Sequence, residues 1–300
     1  GRDGINPDIE KDRGVIGRVL FIDYATPRED RDAGSYAALQ EIKLVQSLGY
    51  KVTFIPKDLC ELGYYSQTLR DMGVEVITTP FYLSVEDFIA SRGDEFDCAY
   101  ITRYYIAKES IPALRKHAAS CKIIMNNADL HFLRELRSAG RDPEKIEEAH
   151  EIRELELEMM TLVDVVLSYN ETEHAVIQSH TDNSVNVRKC PWVVDSPTTF
   201  PKFENTKGLA FLGGFQHPPN REGIEWFAAE VMPLIQERGI ELSLYGSRMD
   251  NDLKNSLNAQ GIKAVGYIEN LEDLYTNHRI FIAPLLSGAG IKGKVINALA

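Results

Sequence analysis

The chain alternates between short apolar runs and longer stretches whose apolar residues recur every three or four positions. Residues 17–24 (GRVLFIDY) form a continuous apolar run, as expected of a parallel strand buried on both faces. A polar loop follows. Leu39, Ile42, Leu44, Val45 and Leu48 then fall near helical spacing with Gly49 behind them, which predicts a helix closed by a glycine cap. The same reading predicts strands over 51–56, 74–79, 96–103 and 121–130, the last running into a loop. It predicts helices over 65–73, 84–93 and 108–118. Strand and helix alternating in this way predict a doubly wound α/β domain.

Residues 142–160 read as a long acidic helix whose charges form a solvated face. A strand over 163–169 follows, then a helix opened by Asn170 as N-cap, with Glu173 at capping-box spacing. From 193 to 208 the chain is polar, carries Pro197 and Pro201 and shows no period. A domain boundary is expected there, at Asp195–Gly208. The alternation then restarts, with strands over 209–215, 240–246, 262–268 and 279–286. Helices are expected over 220–239, 249–261, 270–278 and from 294 onward. The expected fold class is α/β, two tandem Rossmann-like domains: an extension over 1–16, an N-terminal domain over 17–195 and a C-terminal one over 196–300. The second shows four strands where such a sheet usually continues. It is expected to be incomplete, within a longer multidomain chain.

Composition narrows the function. A net charge of −12 over 300 residues argues against nucleic acid as a partner, since a phosphate backbone demands clustered cations. It also disfavours broad docking to anionic lipid, although a local basic patch would still permit peripheral contact at the inner face of a membrane. Cys60, Cys98, Cys121 and Cys190 have no zinc-like spacing and read as reduced core thiols of a cytoplasmic protein. No apolar run approaches the ~20 residues of a membrane span, and the polar N-terminus is no signal peptide.

The chemistry gathers at predicted strand ends, where open α/β sheets bind ligands. Between the last strand and the last helix lies SGAGIKGK, with Gly288, Ala289, Gly290, Ile291, Lys292 and Lys294. Glycines let backbone N–H groups approach a phosphate, the helix N-terminus favours an anion, and a lysine balances charge. On spacing alone, a plain turn with solvated lysines fits equally well. This is neither a Walker A loop nor GxGxxG after a first strand. Gly213 and Gly214 end the first strand of the second domain, with Asn220 as an expected N-cap and Arg221 beside it. Gly246 and Ser247 end the next. In the first domain, Asp32, Gly34 and Ser35 precede or open the first helix, and Asp129 and His131 follow the strand over 121–130. A histidine is more often structural than catalytic, but an Asp two residues away in a crevice position raises the functional reading.

Residues 23–56, 126–137, 211–235 and 266–300 together resemble the GT-B glycosyltransferases of the large retaining "group 1" family, a likeness that covers nearly the whole chain from Gly17. The resemblance implies two Rossmann domains: the C-terminal one holds a nucleotide-diphospho-sugar and the N-terminal one a glycan or lipid-linked acceptor. It implies no metal and no cofactor beyond the donor substrate, and a setting in surface-polysaccharide assembly. It matches Gly288–Lys294 to the loop under the donor sugar and phosphates and Gly213–Gly214 to the first phosphate-facing turn. Tyr267 and Ile268 match the segment bordering the base, and Asp32, Gly34 and Ser35 the loop that closes over donor and acceptor. Asp129 matches an acidic residue of the catalytic site, with His131 nearby.

Several positions depart from the family pattern. Ala289 and Asn297 stand where two glutamates are usual, the second of which accepts from ribose hydroxyls. A basic pair after the first C-domain strand is replaced by Gly214 and Glu222, and the histidine often found before the Asp is Ala128. These departures keep a second reading open: a non-catalytic module that binds a nucleotide sugar or a glycan. A GT-B epimerase would want several carboxylates around the sugar, and the second domain's loops show no such set. A nicotinamide-dependent dehydrogenase lacks its fingerprint here.

Overall fold

The computed structural model describes residues 14–194, 200–268, 270–286 and 291–300. The chain divides into two compact units, with the main division between Val193 and Val194. The short segment Asp30–Ala33 groups with the second, and Ile291 with the first.

In the first unit the strands are β1 (Gly17–Asp23), β2 (Tyr50–Pro56), β3 (Glu75–Val76), β4 (Cys98–Thr102), β5 (Lys122–Asn126), β6 (Val165–Ser168) and β7 (Val187–Lys189). They form one sheet in the order β3-β2-β1-β4-β5-β6-β7, parallel throughout. Between them run α1 (Ala33–Ser47), α2 (Tyr64–Asp71), α3 (Val85–Arg92), α4 (Tyr104–His117), α5 (His131–Ala139), α6 (Pro143–Thr161) and α7 (Glu171–His180). Alternate residues of β1 serve two cores: Leu20 and Ile22 pack with Ile101, Ile123 and Met125, while Val19 and Phe21 pack with Leu39, Ile42 and Phe54. This double burial explains why β1 is a continuous apolar run rather than an alternating one.

The second unit has its own core, centred on Phe211, Ile224, Met232, Leu244 and Leu257. Its parallel sheet runs in the order β10-β9-β8-β11, from β8 (Leu209–Leu212), β9 (Leu242–Tyr245), β10 (Lys263–Gly266) and β11 (Ile280–Phe281). The helices are α8 (Pro218–Trp226), α9 (Met232–Gln236), α10 (Asn251–Ala259), α11 (Leu271–Asn277) and α12 (Gly293–Leu299).

Several sequence expectations change. The helix expected over 220–239 is broken: a π turn over Phe227–Val231 separates α8 from α9. Pro233, in the first turn of α9, has no N–H to continue the α ladder, and the Met232 N–H reaches back five residues to the Phe227 carbonyl. Asn220 is not an N-cap. Pro218 opens α8 with His217 as its cap residue, which places Asn220 inside the first turn. Helix α5 and strand β7 were not expected, and β3 and β11 are much shorter than predicted. Asn170 does cap α7, accepting from Glu173 N at 2.8 Å. Cys60 is exposed, so only Cys121 is a fully buried thiol; all four cysteines are free. Among the described residues no helix is long and apolar enough to cross a membrane.

Candidate functional site

In the first unit, β5 ends at Asn126 and the chain turns sharply through Ala128, which has a φ of 60°. Two bonds hold the turn: Ala128 N donates to Asn126 Oδ1 at 2.9 Å, and Asp129 N to Asn127 O at 2.7 Å. Asp129 therefore follows directly on the carboxyl end of β5, and His131 opens α5. The Asp129 carboxylate pairs with Arg134 at 2.5 Å, one turn along the same helix. His131 Nδ1 lies 3.1 Å from the Asp129 carbonyl oxygen and 3.6 Å from a carboxylate oxygen of Glu156. The imidazole edge meets the rings of Tyr104 and Tyr105. With Nδ1 so enclosed and the residue buried, the geometry suits His131 as an orienting group.

Glu156 is the exception to the solvated charged face of α6, on which Glu144, Glu147, Glu148, Glu151, Glu154 and Glu158 are exposed. Its side chain is fully buried, and it accepts from the backbone N–H groups of His131 and Phe132, both at 3.2 Å. It thus satisfies the free donors that open α5. The sequence held the signal: Ile152, Glu156 and Met159 fall at helical spacing, which puts Glu156 on the apolar side.

A second buried carboxylate lies behind the turn. Glu41, on α1, accepts from Tyr100 Oη at 2.9 Å, from Asn126 Nδ2 at 3.1 Å and from Tyr169 Oη. Burial pushes its pKa up to about 7 against the lowering effect of these bonds, and the Asp23 charge adds to the rise. Glu41 thus ties α1 to the Asn126 side chain that holds the Ala128 turn. Gly34 and Ser35 lie in the first turn of α1, which follows β1 in the same parallel sheet, so they share the sheet's carboxyl edge with Asp129. Asp32 groups with the second unit.

In the second unit the loops after β8 and β9 touch through their backbones. A Cβ built on Gly246 would lie 1.9 Å from the Gly213 carbonyl oxygen, and one on Gly214 3.7 Å from Ser247 Oγ. Phe215 N donates to Ser247 O at 3.0 Å. Asn220 Nδ2 donates to Gly214 O at 2.9 Å. Arg221 is engaged by Glu225 and Asp250, each at 2.9 Å. Gly288, Ala289 and Gly290 lie outside the described residues; Ile291 and Lys292 lead into α12.

Lys294 does not point to solvent. Its ammonium donates to Leu212 O at 2.9 Å and to Asn220 Oδ1 at 2.7 Å, and it sits 4.2 Å above the Phe211 ring. Burial, and then the charge of Lys292, push its pKa down to about 7. One turn further along α12, the Asn297 Oδ1 atom is buried without a hydrogen-bond partner. Tyr267 and Ile268 follow β10, with Tyr267 exposed. Among the described residues no group of three or more His, Cys, Asp or Glu side chains converges as a metal site.

Two parallel α/β units, each with its own sheet, have the GT-B fold. Within the second unit, residues 206–300 match the family described as "Glycosyl transferases group 1". The chain is 28% identical over 114 residues to an uncharacterised 44.6 kDa protein in the cps region of Klebsiella pneumoniae. The match covers 34% of this chain and 29% of that protein. In fold, the chain is similar to sucrose-phosphate synthase of Thermosynechococcus elongatus, with a TM-score of 0.68 at 12% identity, over 94% of this chain and 79% of that one. It is also similar to HepE of Anabaena, solved with UDP and glucose, with a TM-score of 0.63 at 14% identity, over 94% and 78%.

Proposed function

We propose that the chain moves a sugar, with retention, from a nucleotide-diphospho-sugar to a glycan or lipid-linked acceptor in surface-polysaccharide assembly. The observation that carries this reading is the carboxyl edge of the second sheet. There the β8 and β9 turns and α12 are joined through backbone and through Lys294, within the stretch that matches the group 1 family. Backbone amides at such turns bind a diphosphate without a metal. The unpartnered Asn297 oxygen suits a ribose hydroxyl donor. Lys292, Ile291, Gly213, Gly214, Gly246 and Ser247 would border the phosphates, and Tyr267 and Ile268 the base. Fold likeness to a protein solved with UDP and glucose and sequence likeness to a protein of a cps region support the donor class and the setting. On the acceptor side, Asp129 would accept the hydrogen bond of the incoming hydroxyl while His131 orients the turn.

A second reading, a binding module without turnover, is favoured by one feature: Asn297 offers a neutral oxygen where the family pattern has a carboxylate. A thermal-shift screen with UDP, GDP, dTDP and ADP sugars tests the donor site, since a ligand raises apparent stability by mass action. At least one sugar nucleotide is expected to raise Tm, and none doing so sinks the donor reading. With a donor in hand, Asp129→Asn is expected to lower turnover far more than donor affinity. Donor binding with no transfer to any glycan or lipid-linked acceptor supports the module instead.

A further inference from the structure

Strands β8 and β9 are neighbours in the second sheet, and the loops that leave them enclose a cavity of about 420 Å³. One wall is Phe215, Gln216 and Pro218, with Arg221 and Glu222 of α8. The other is Arg248 and Asp250. Two bridges tie the walls together: Arg248 donates to Gln216 Oε1 and Arg221 to Asp250 Oδ2, each at 2.9 Å. We propose that this cavity is a saccharide subsite, which takes one pyranose ring carrying adjacent hydroxyl groups. The inference needs no nucleotide, and so stands apart from the donor-site reading above.

The charges of the lining decide the class of ligand. Arg221 and Arg248 are matched by Glu222 and Asp250, so the cavity has no net charge with which to select a phosphate or an ammonium group. What it offers is hydrogen-bonding capacity of both kinds. Asp250 is occupied, one oxygen accepting from Leu253 N at 2.7 Å and the other from Arg221, and Arg221 also donates to Glu225. Arg248 spends one N–H on the neutral Gln216 amide and has no carboxylate partner among the described residues. Glu222 has no hydrogen-bond or ion-pair partner among the described residues. A guanidinium only donates and a carboxylate only accepts, whereas a hydroxyl does both. Adjacent sugar hydroxyls can therefore accept from Arg248 and donate to Glu222. Phe215 and Pro218 offer an apolar surface to the C–H face of the ring, and the volume lies at the small end of the range of ligand sites.

The backbone at Arg248 supports the same assignment. Its φ is 58°, in the left-handed region that a long side chain enters at a cost and glycine enters freely. Arg248 is exposed, so core packing does not account for a long side chain at this position. Strain of this kind persists where a site uses the side chain it holds. The ring can be the transferred sugar of a donor or a unit of a bound glycan, and both present the same chemistry.

Saturation-transfer NMR with methyl α-glucoside, methyl α-mannoside, methyl α-galactoside and methyl α-rhamnoside tests the site directly. At least one glycoside is expected to bind. Arg248→Gly and Glu222→Ala should each weaken that binding at least about tenfold, the effect of losing charged hydrogen bonds. Arg248→Gly also relieves the left-handed strain, so its Tm should not fall below that of wild type while binding is lost. Glu222 is exposed, and its alanine variant serves where the glycine variant does not fold. Competition then separates the sources. A glycoside displaced by UDP-glucose but not by UDP marks the place of the transferred sugar, and one that binds alongside UDP-glucose marks a glycan subsite; both support the proposal. A chain that binds a glycoside but no nucleotide keeps this inference while losing the donor reading. Binding of none of the four glycosides, binding unchanged in both variants, or displacement by UDP itself overturns the proposal.

Discussion

Glu41 is a carboxyl group placed among two tyrosines and an asparagine, fully buried in the first unit. Its pKa stands at about 7, above the unfolded value near 4, so the folded state holds a proton that the unfolded chain has lost. Its contribution to stability is therefore complete below the unfolded value and is lost as pH rises through about 7. Glu41→Gln removes the titration. Relative to wild type, the variant is expected to gain about 2 kcal/mol in stability between pH 5 and pH 8, as read by urea unfolding at the two pH values. An equal difference at both would show that Glu41 does not titrate in that window. Glu41 and Glu156 were hidden in the sequence for the same reason. Charge in a helix usually means water, and only their spacing with Ala37 and Met159 hints that these two face inward. The hydrogen bonds that make such burial tolerable come from residues 24 to 128 positions away along the chain.

Most of the predicted elements are present in the structure, and their ends and interruptions are what the sequence left open. The β1 run, the Asn170 cap and the strand–helix order of both units needed only local pattern. The π turn between α8 and α9 needed Pro233 to be read as an interruption inside an otherwise periodic stretch. The crossing of the β8 and β9 turns is a further feature of this scale. Gly246 has a φ of 141°, and any Cβ there would meet the Gly213 carbonyl. Gly246→Ala therefore combines backbone strain with a clash against main chain, at a cost of at least about 3 kcal/mol. The variant should lose both cooperative melting of the second unit and sugar-nucleotide binding. A variant with an unchanged melt would show that the two turns can part without cost.

Each unit has its own hydrophobic core, which makes each a folding unit in its own right. Calorimetry is expected to resolve two transitions, and a sugar nucleotide should raise the one that belongs to the second unit. A ligand-induced rise confined to the first unit's transition would place the donor elsewhere.

Taken by itself, the sequence determined the fold class and most of the order of strands and helices, because local periodicity and turn residues encode these directly. It also carried the family resemblance, through residues of the glycine loop and its helix. Only the tertiary structure decided which charges are spent inside the protein. It paired Asp129 with Arg134, buried Glu156 beneath His131, sealed Glu41 among its tyrosines and turned Lys294 onto the end of β8. The physical reason is that a side chain's protonation and reach depend on partners supplied by other elements, and the periodicity of a single segment carries no information about those partners.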